Sequence, residues 1–142
     1  GGWSLYMKDG KPVYTYNFLG LQRFNVAASQ PLAAGKATIR YEFASDGPGM
    51  GKGGVGTISV DGQKVAEGRI EHTQCCAFSL DDATDVGMDG GTPVSENYKD
   101  RDNTFTGKIN SVTIELKPFK SANAAEEQRV IREAHLHKHM AD

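Results

Sequence analysis

An all-β chain built as an antiparallel β-sandwich, followed by one C-terminal α-helix, is what this sequence predicts. Two Asp-Gly pairs, Asp9-Gly10 and Asp61-Gly62, separate runs rich in aromatic and β-branched residues, the pattern of tight hairpins. Most of those runs alternate apolar with polar side chains, as strands with one packed and one wetted face must. The 142 residues also hold 17 glycines against 5 prolines, punctuation that suits a chain with frequent turns.

Residues 3–7 and 13–18 flank Asp9-Gly10 as the first hairpin, and residues 57–60 and 63–70 flank Asp61-Gly62 as the second. Residues 23–26 and 37–43 alternate in the same way and extend the antiparallel pairing between them. Residues 81–102 carry seven acidic and two basic residues with no regular period, so they read as a long acidic loop. Alternation returns over 105–116, with Val112, Ile114 and Leu116 on one side, and Pro118 ends that run. Asn123 and Glu126 have the spacing of a capping box, which starts a helix over about 124–139. Its apolar stripe is only Val130, Ile131 and Ala134, too little to bury alone, so this helix is expected to lie against something else or to fray. The resulting division is a sandwich domain at 1–117 and a helical tail at 118–142.

A net charge of -2, with 38% hydrophobic and 24% charged residues, argues against disorder and against a nucleic-acid partner. No apolar run reaches the roughly 18 residues that a spanning helix needs, and the start lacks the order of a signal peptide, so no membrane partner is expected. The opening Gly1-Gly2-Trp3 enters strand-like sequence without an initiator Met, which suggests a piece of a longer polypeptide. Its compartment stays open.

Five features carry candidate chemistry. Cys75 and Cys76 are neighbours that can join only in a strained ring, and they read as partly buried free thiols. Residues 49–54 satisfy G-x-G-x-x-G but precede a strand instead of a helix, so the segment is expected to be a loop between strands of opposite sheets. Asp81, Asp82, Asp85 and Asp89 are the candidate ligands of a structural calcium, since a hard cation takes several carboxylate oxygens from such a segment. On a helix only His135 and His139 of the His135, His137, His139 triplet share a face, one ligand pair short of a structural zinc site. Trp3, Tyr14 and Tyr16 are candidate sugar-stacking or interface aromatics, Tyr14 and Tyr16 falling on one face of their strand.

Several stretches together are similar to the last part of long bacterial arylsulfatases. They are Gly2-Trp3-Ser4-Leu5-Tyr6 leading to Tyr16-Asn17, the glycine run before Gly56-Thr57, residues 65–70, and Asp85-Val86-Gly87 through Gly91-Thr92-Pro93-Val94 to Tyr98. Val60-Asp61-Gly62, with residues 105–109 and Val112, resembles laminin-G-like and concanavalin-A-like sandwiches, which implies a jelly-roll. The resemblance implies a C-terminal accessory domain that packs on the sulfatase catalytic domain of the same polypeptide. Sulfatases carry their nucleophile in Cys-x-Pro-x-Arg. Residues 75–79 have neither the Pro nor the Arg, so no catalytic residue is assigned and the isolated chain is not expected to be an enzyme. The alternative is a free-standing lectin-like module that binds carbohydrate through its aromatics, with calcium as a further candidate ligand.

Overall fold

The computed structural model describes residues 1–75 and 83–118. Among them the chain is all-β, with six strands: β1 (Gly2–Lys8), β2 (Lys11–Phe18), β3 (Gln22–Ala27), β4 (Ile39–Ser45), β5 (Gly54–Val60) and β6 (Gln63–Ile70). They form two three-stranded sheets, ordered β1-β2-β3 and β4-β5-β6, antiparallel throughout.

Both expected Asp-Gly turns are present, with positive φ at Asp9 and Gly10 (50° and 74°) and at Asp61 and Gly62 (50° and 85°). Two consecutive left-handed residues are the geometry that lets a two-residue loop follow the right-handed twist of its strands. A further reversal, between β2 and β3, places Leu19 and Gly20 at φ 55° and 76°. The Asn17 side chain supports it by accepting from the Gly20 N–H at 2.7 Å.

Register assigns the faces. Trp3 pairs with Tyr16, Leu5 with Tyr14, Tyr16 with Phe24 and Tyr14 with Val26, so these side chains share one side of the first sheet. Tyr14, Tyr16, Phe24 and Val26 then meet Ile58 and Ile70 of the second sheet in one buried cluster, with Tyr41 and Ile39 against it. Gly68 makes the close approach feasible, because a Cβ there would stand 2.9 Å from the Val26 side chain. Gly56 does the same beneath the Tyr41 ring.

The aromatic rings stack through this core: Trp3 on Tyr14 at 6.3 Å, and Tyr14 on Tyr41 at 3.5 Å between centroids. The Tyr41 hydroxyl is buried with no hydrogen-bond partner among the described residues, and Tyr14 is its polar neighbour. An unmet buried hydroxyl costs about 1–3 kcal/mol. Tyr41→Phe is therefore expected to raise stability by about 1 kcal/mol in urea denaturation, and a loss of that size would show that the hydroxyl is satisfied.

Three expectations change here. The loop carrying the G-x-G-x-x-G pattern joins β4 to β5, neighbours within one sheet and not strands of opposite sheets. It closes with Asp46 N–H donating to the Gly53 carbonyl at 2.9 Å. Residues 105–118 form no strand, since alternation records a fit to a pleated neighbour and none of the described residues supplies one. Cys75 is exposed rather than partly buried. Cys76, the helix over 124–139 and its three histidines lie outside the described residues.

Candidate functional site

β2 is buried on both faces over residues 12–17 although its sequence alternates apolar and polar. One face lies in the core just described. The other carries Thr15 and Asn17, and the acidic loop lies across it, so residues that would otherwise be wet become interior.

The loop is fastened by polar side chains. Tyr6 Oη lies 3.0 Å from Thr15 Oγ1 and 2.9 Å from Ser95 Oγ, and it accepts from Asn97 Nδ2 at 2.6 Å. Thr15 Oγ1 donates to Asn25 Oδ1 at 2.5 Å. Asn17 Nδ2 and Arg23 Nε both donate to the Val94 carbonyl, at 3.0 and 3.3 Å. Arg23 also pairs with Glu96 at 2.8 Å, and Lys8 Nζ donates to the Asn97 carbonyl at 3.0 Å. Buried hydroxyls and amides must be met in this way or cost free energy.

Within the loop, Asp89 is the organiser. Its Oδ2 accepts from the Val94 N–H at 3.0 Å and from the Tyr98 hydroxyl at 2.6 Å. Asn103 brackets its backbone, accepting from the Asp89 N–H at 2.8 Å and donating to the Asp89 carbonyl at 3.0 Å. Asp85 Oδ2 accepts from the Gly90 N–H at 2.8 Å. Of the four candidate calcium ligands, Asp85 and Asp89 thus hold loop N–H groups, while Asp81 and Asp82 lie outside the described residues. Among the described residues no three His, Cys, Asp or Glu side chains stand close enough to share a metal ion.

The three candidate aromatics separate. Tyr14 and Tyr16 lie on one face as the alternation places them, but that face is the core, where they are 6% and 5% exposed. Tyr16 Oη accepts from the Gln74 N–H at 2.7 Å. Trp3 keeps 45% of its surface exposed at the end of the stack. Sequence reasoning did not single out Arg23 or Asn103, and it placed Tyr6 with the sugar-stacking aromatics, whereas the Tyr6 hydroxyl fastens the loop. The available signal was the polar pair Thr15 and Asn17 in the most aromatic strand, which needed a polar cover.

Burial pushes the Tyr41 and Tyr98 hydroxyls up to about 12, the Asp89 carboxylate adding to the effect at Tyr98. Burial also raises Tyr14 and Tyr16. A phenol raised in the folded state contributes stability that is complete below its unfolded value of about 10 and lost as pH climbs through the folded value. The domain is therefore expected to hold its stability up to about pH 10 and lose it between about 10 and 12. Tyrosinate absorbance should rise together with loss of circular dichroism; ionisation of all five tyrosines near pH 10 in a folded protein would contradict this. On the second sheet, the hydrogen-bonded Arg69 guanidinium holds the exposed Asp46 carboxyl below the usual carboxylate range.

Outside this face, one group of exposed apolar side chains joins two segments of the chain. Val86, Met88, Phe105 and Ile109 are all exposed, and the Phe105 N–H donates to the Gly87 carbonyl at 2.7 Å, bringing the two segments together. Comparison with known proteins adds no relative: no family model, curated protein or solved structure matches the chain.

Proposed function

We propose that this chain is a non-catalytic C-terminal accessory domain of an arylsulfatase-type sulfuric ester hydrolase, packing on the catalytic domain of the same polypeptide. The observation that carries the reading is the exposed patch of Val86, Met88, Phe105 and Ile109, the first two on a loop bonded to its own sheet. A rigid apolar surface of this kind suits an interdomain contact. The resemblance of residues 2–17, 65–70 and 85–98 to the ends of bacterial arylsulfatases names the partner. The finer fold belongs to the same proposal: a concanavalin-A-like or laminin-G-like jelly-roll sandwich, with a helix over about 124–139.

The test begins with the coding sequence upstream of Gly1, which should encode Cys-x-Pro-x-Arg. The catalytic part expressed separately should bind this chain in calorimetry, and Met88→Asp with Ile109→Asp should weaken that binding at least tenfold. No upstream motif, or no heat on mixing, overturns the proposal.

A second reading, a lectin-like carbohydrate-binding module, is favoured by one observation, the accessible Trp3 ring backed by Tyr14 and Tyr41. Sulfated sugars and calcium titrated into the isolated chain decide it, and absence of heat with all of them removes it.

A further inference from the structure

β1 is an edge of its sheet, with β2 on one side and no strand of the described residues on the other. Trp3 and Leu5, on its core side, are 45% and 39% exposed. Lys8 is its single charged residue and it has no Pro, so the edge carries little of what keeps bare strands from pairing.

The same chain holds a strand-like segment with no strand paired to it among the described residues. Val112, Ile114 and Leu116 alternate along 108–116 and are among its most exposed apolar side chains, Leu116 at 92%. Among the described residues, nothing after the Phe105 N–H in this segment makes a backbone hydrogen bond, and no φ in it is positive. A row of unmet N–H and C=O groups selects an extended strand as its occupant, because only a strand meets them in series.

We propose that residues 108–116 of one copy pair antiparallel with the free edge of β1 in a second copy, and reciprocally, giving a two-fold dimer by strand exchange. Register supports the match. Setting Leu5 opposite Ile114 also sets Trp3 opposite Leu116 and Met7 opposite Val112, so three apolar pairs fall on one face. That face is the core side of the first sheet, where Trp3 and Leu5 lie open, so the added strand widens the core face. Within its own chain the segment is pinned by the Phe105–Gly87 bond and by Ile109 against Gly87, and it stays off β1. The partner proposed for the free edge is accordingly a second copy of the chain. The pairing residues Val112, Ile114 and Leu116 lie outside the patch of the accessory-domain reading, which shares only Ile109 with this segment, so Ile114→Pro tests the dimer without touching that patch.

Sedimentation of the full chain over a range of concentrations should show a monomer–dimer equilibrium. Ile114→Pro removes a ladder donor at an exposed position in both halves of the interface, and should raise the dimer dissociation constant roughly 100-fold while leaving the monomer folded. In a Cys75→Ser, Cys76→Ser background, Leu5→Cys chains mixed with Ile114→Cys chains should oxidise to a mixed disulfide dimer. A chain carrying both substitutions that oxidises within itself as a monomer overturns the proposal. So does a protein that is monomeric at every concentration, or a dimer unaffected by Ile114→Pro that gives no mixed disulfide.

Discussion

Ile58→Ala is expected to remove about 3–4 kcal/mol of stability, the largest loss from any single truncation in this fold. Ile58 is 0% exposed at the centre of β5, opposite Tyr41 on one neighbour and Ala66 on the other. It also belongs to the cluster in which Tyr14, Tyr16, Phe24, Val26 and Ile70 join the two sheets. The cost of such a truncation depends on how far the surroundings relax into the space left. Here they relax little. β5 is clamped on both sides by ladder hydrogen bonds, and Gly56 and Gly68 already bring their neighbours to contact distance, leaving no further approach to make. Urea denaturation measures the effect through its midpoint. A loss under about 1 kcal/mol would mean that the sheets do not share this core.

How far a sequence feature predicts the structure depends on its range along the chain. Turns are local: Asp9-Gly10 and Asp61-Gly62 supply residues that tolerate positive φ, and both reverse the chain as expected. Alternation is local too, and it places Tyr14 and Tyr16 on one face of β2. What covers that face is a long-range matter. Two aromatics in register suit an open sugar platform and a core equally, and only the second sheet, bringing Tyr41 and Ile58, makes it a core. The opposite face of β2 shows the same limit. Thr15 and Asn17 read as wetted positions, yet a loop almost eighty residues further on brings Ser95 and the Val94 carbonyl to that face. The acidic loop is legible as a long irregular segment, but its carboxylates read equally as cation ligands or as acceptors for backbone N–H groups. For Asp89 the acceptor role is set by Val94 and Tyr98, which the turn at 90–93 folds back onto it. The loop with Pro31 and Gly35 is legible, but the change of sheet across it is not: the strands at 23–26 and 37–43, expected to continue one antiparallel sheet, lie in different sheets, and the expectation of opposite-sheet strands around residues 49–54 failed with it.

Asp89→Ala is the second large effect, about 3 kcal/mol, and it should fall on the loop first. The substitution strands two donors at once, the Val94 N–H and the Tyr98 hydroxyl, both of which bond the same carboxylate oxygen. Val94 is also where the loop grips the sheet, since its carbonyl receives Asn17 and Arg23. When the Val94 N–H loses its acceptor, the segment from Val94 to Asn97 loosens, and the buried hydroxyl of Thr15 meets water. Amide exchange at Val94 and Asn97 should therefore accelerate more than exchange in β5, whose contacts lie in the other layer. Asp89→Asn keeps an acceptor oxygen in place and should cost about half as much. Asp85→Ala, at an exposed position with a single N–H to satisfy, should cost under about 1 kcal/mol. If the two alanine variants lose equal stability, Asp89 is not the organiser of the loop. If both are neutral, the loop is held by its contacts with Tyr6, Lys8, Asn17 and Arg23 without Asp89, and its apolar patch is presented without the rigidity that an interdomain contact requires.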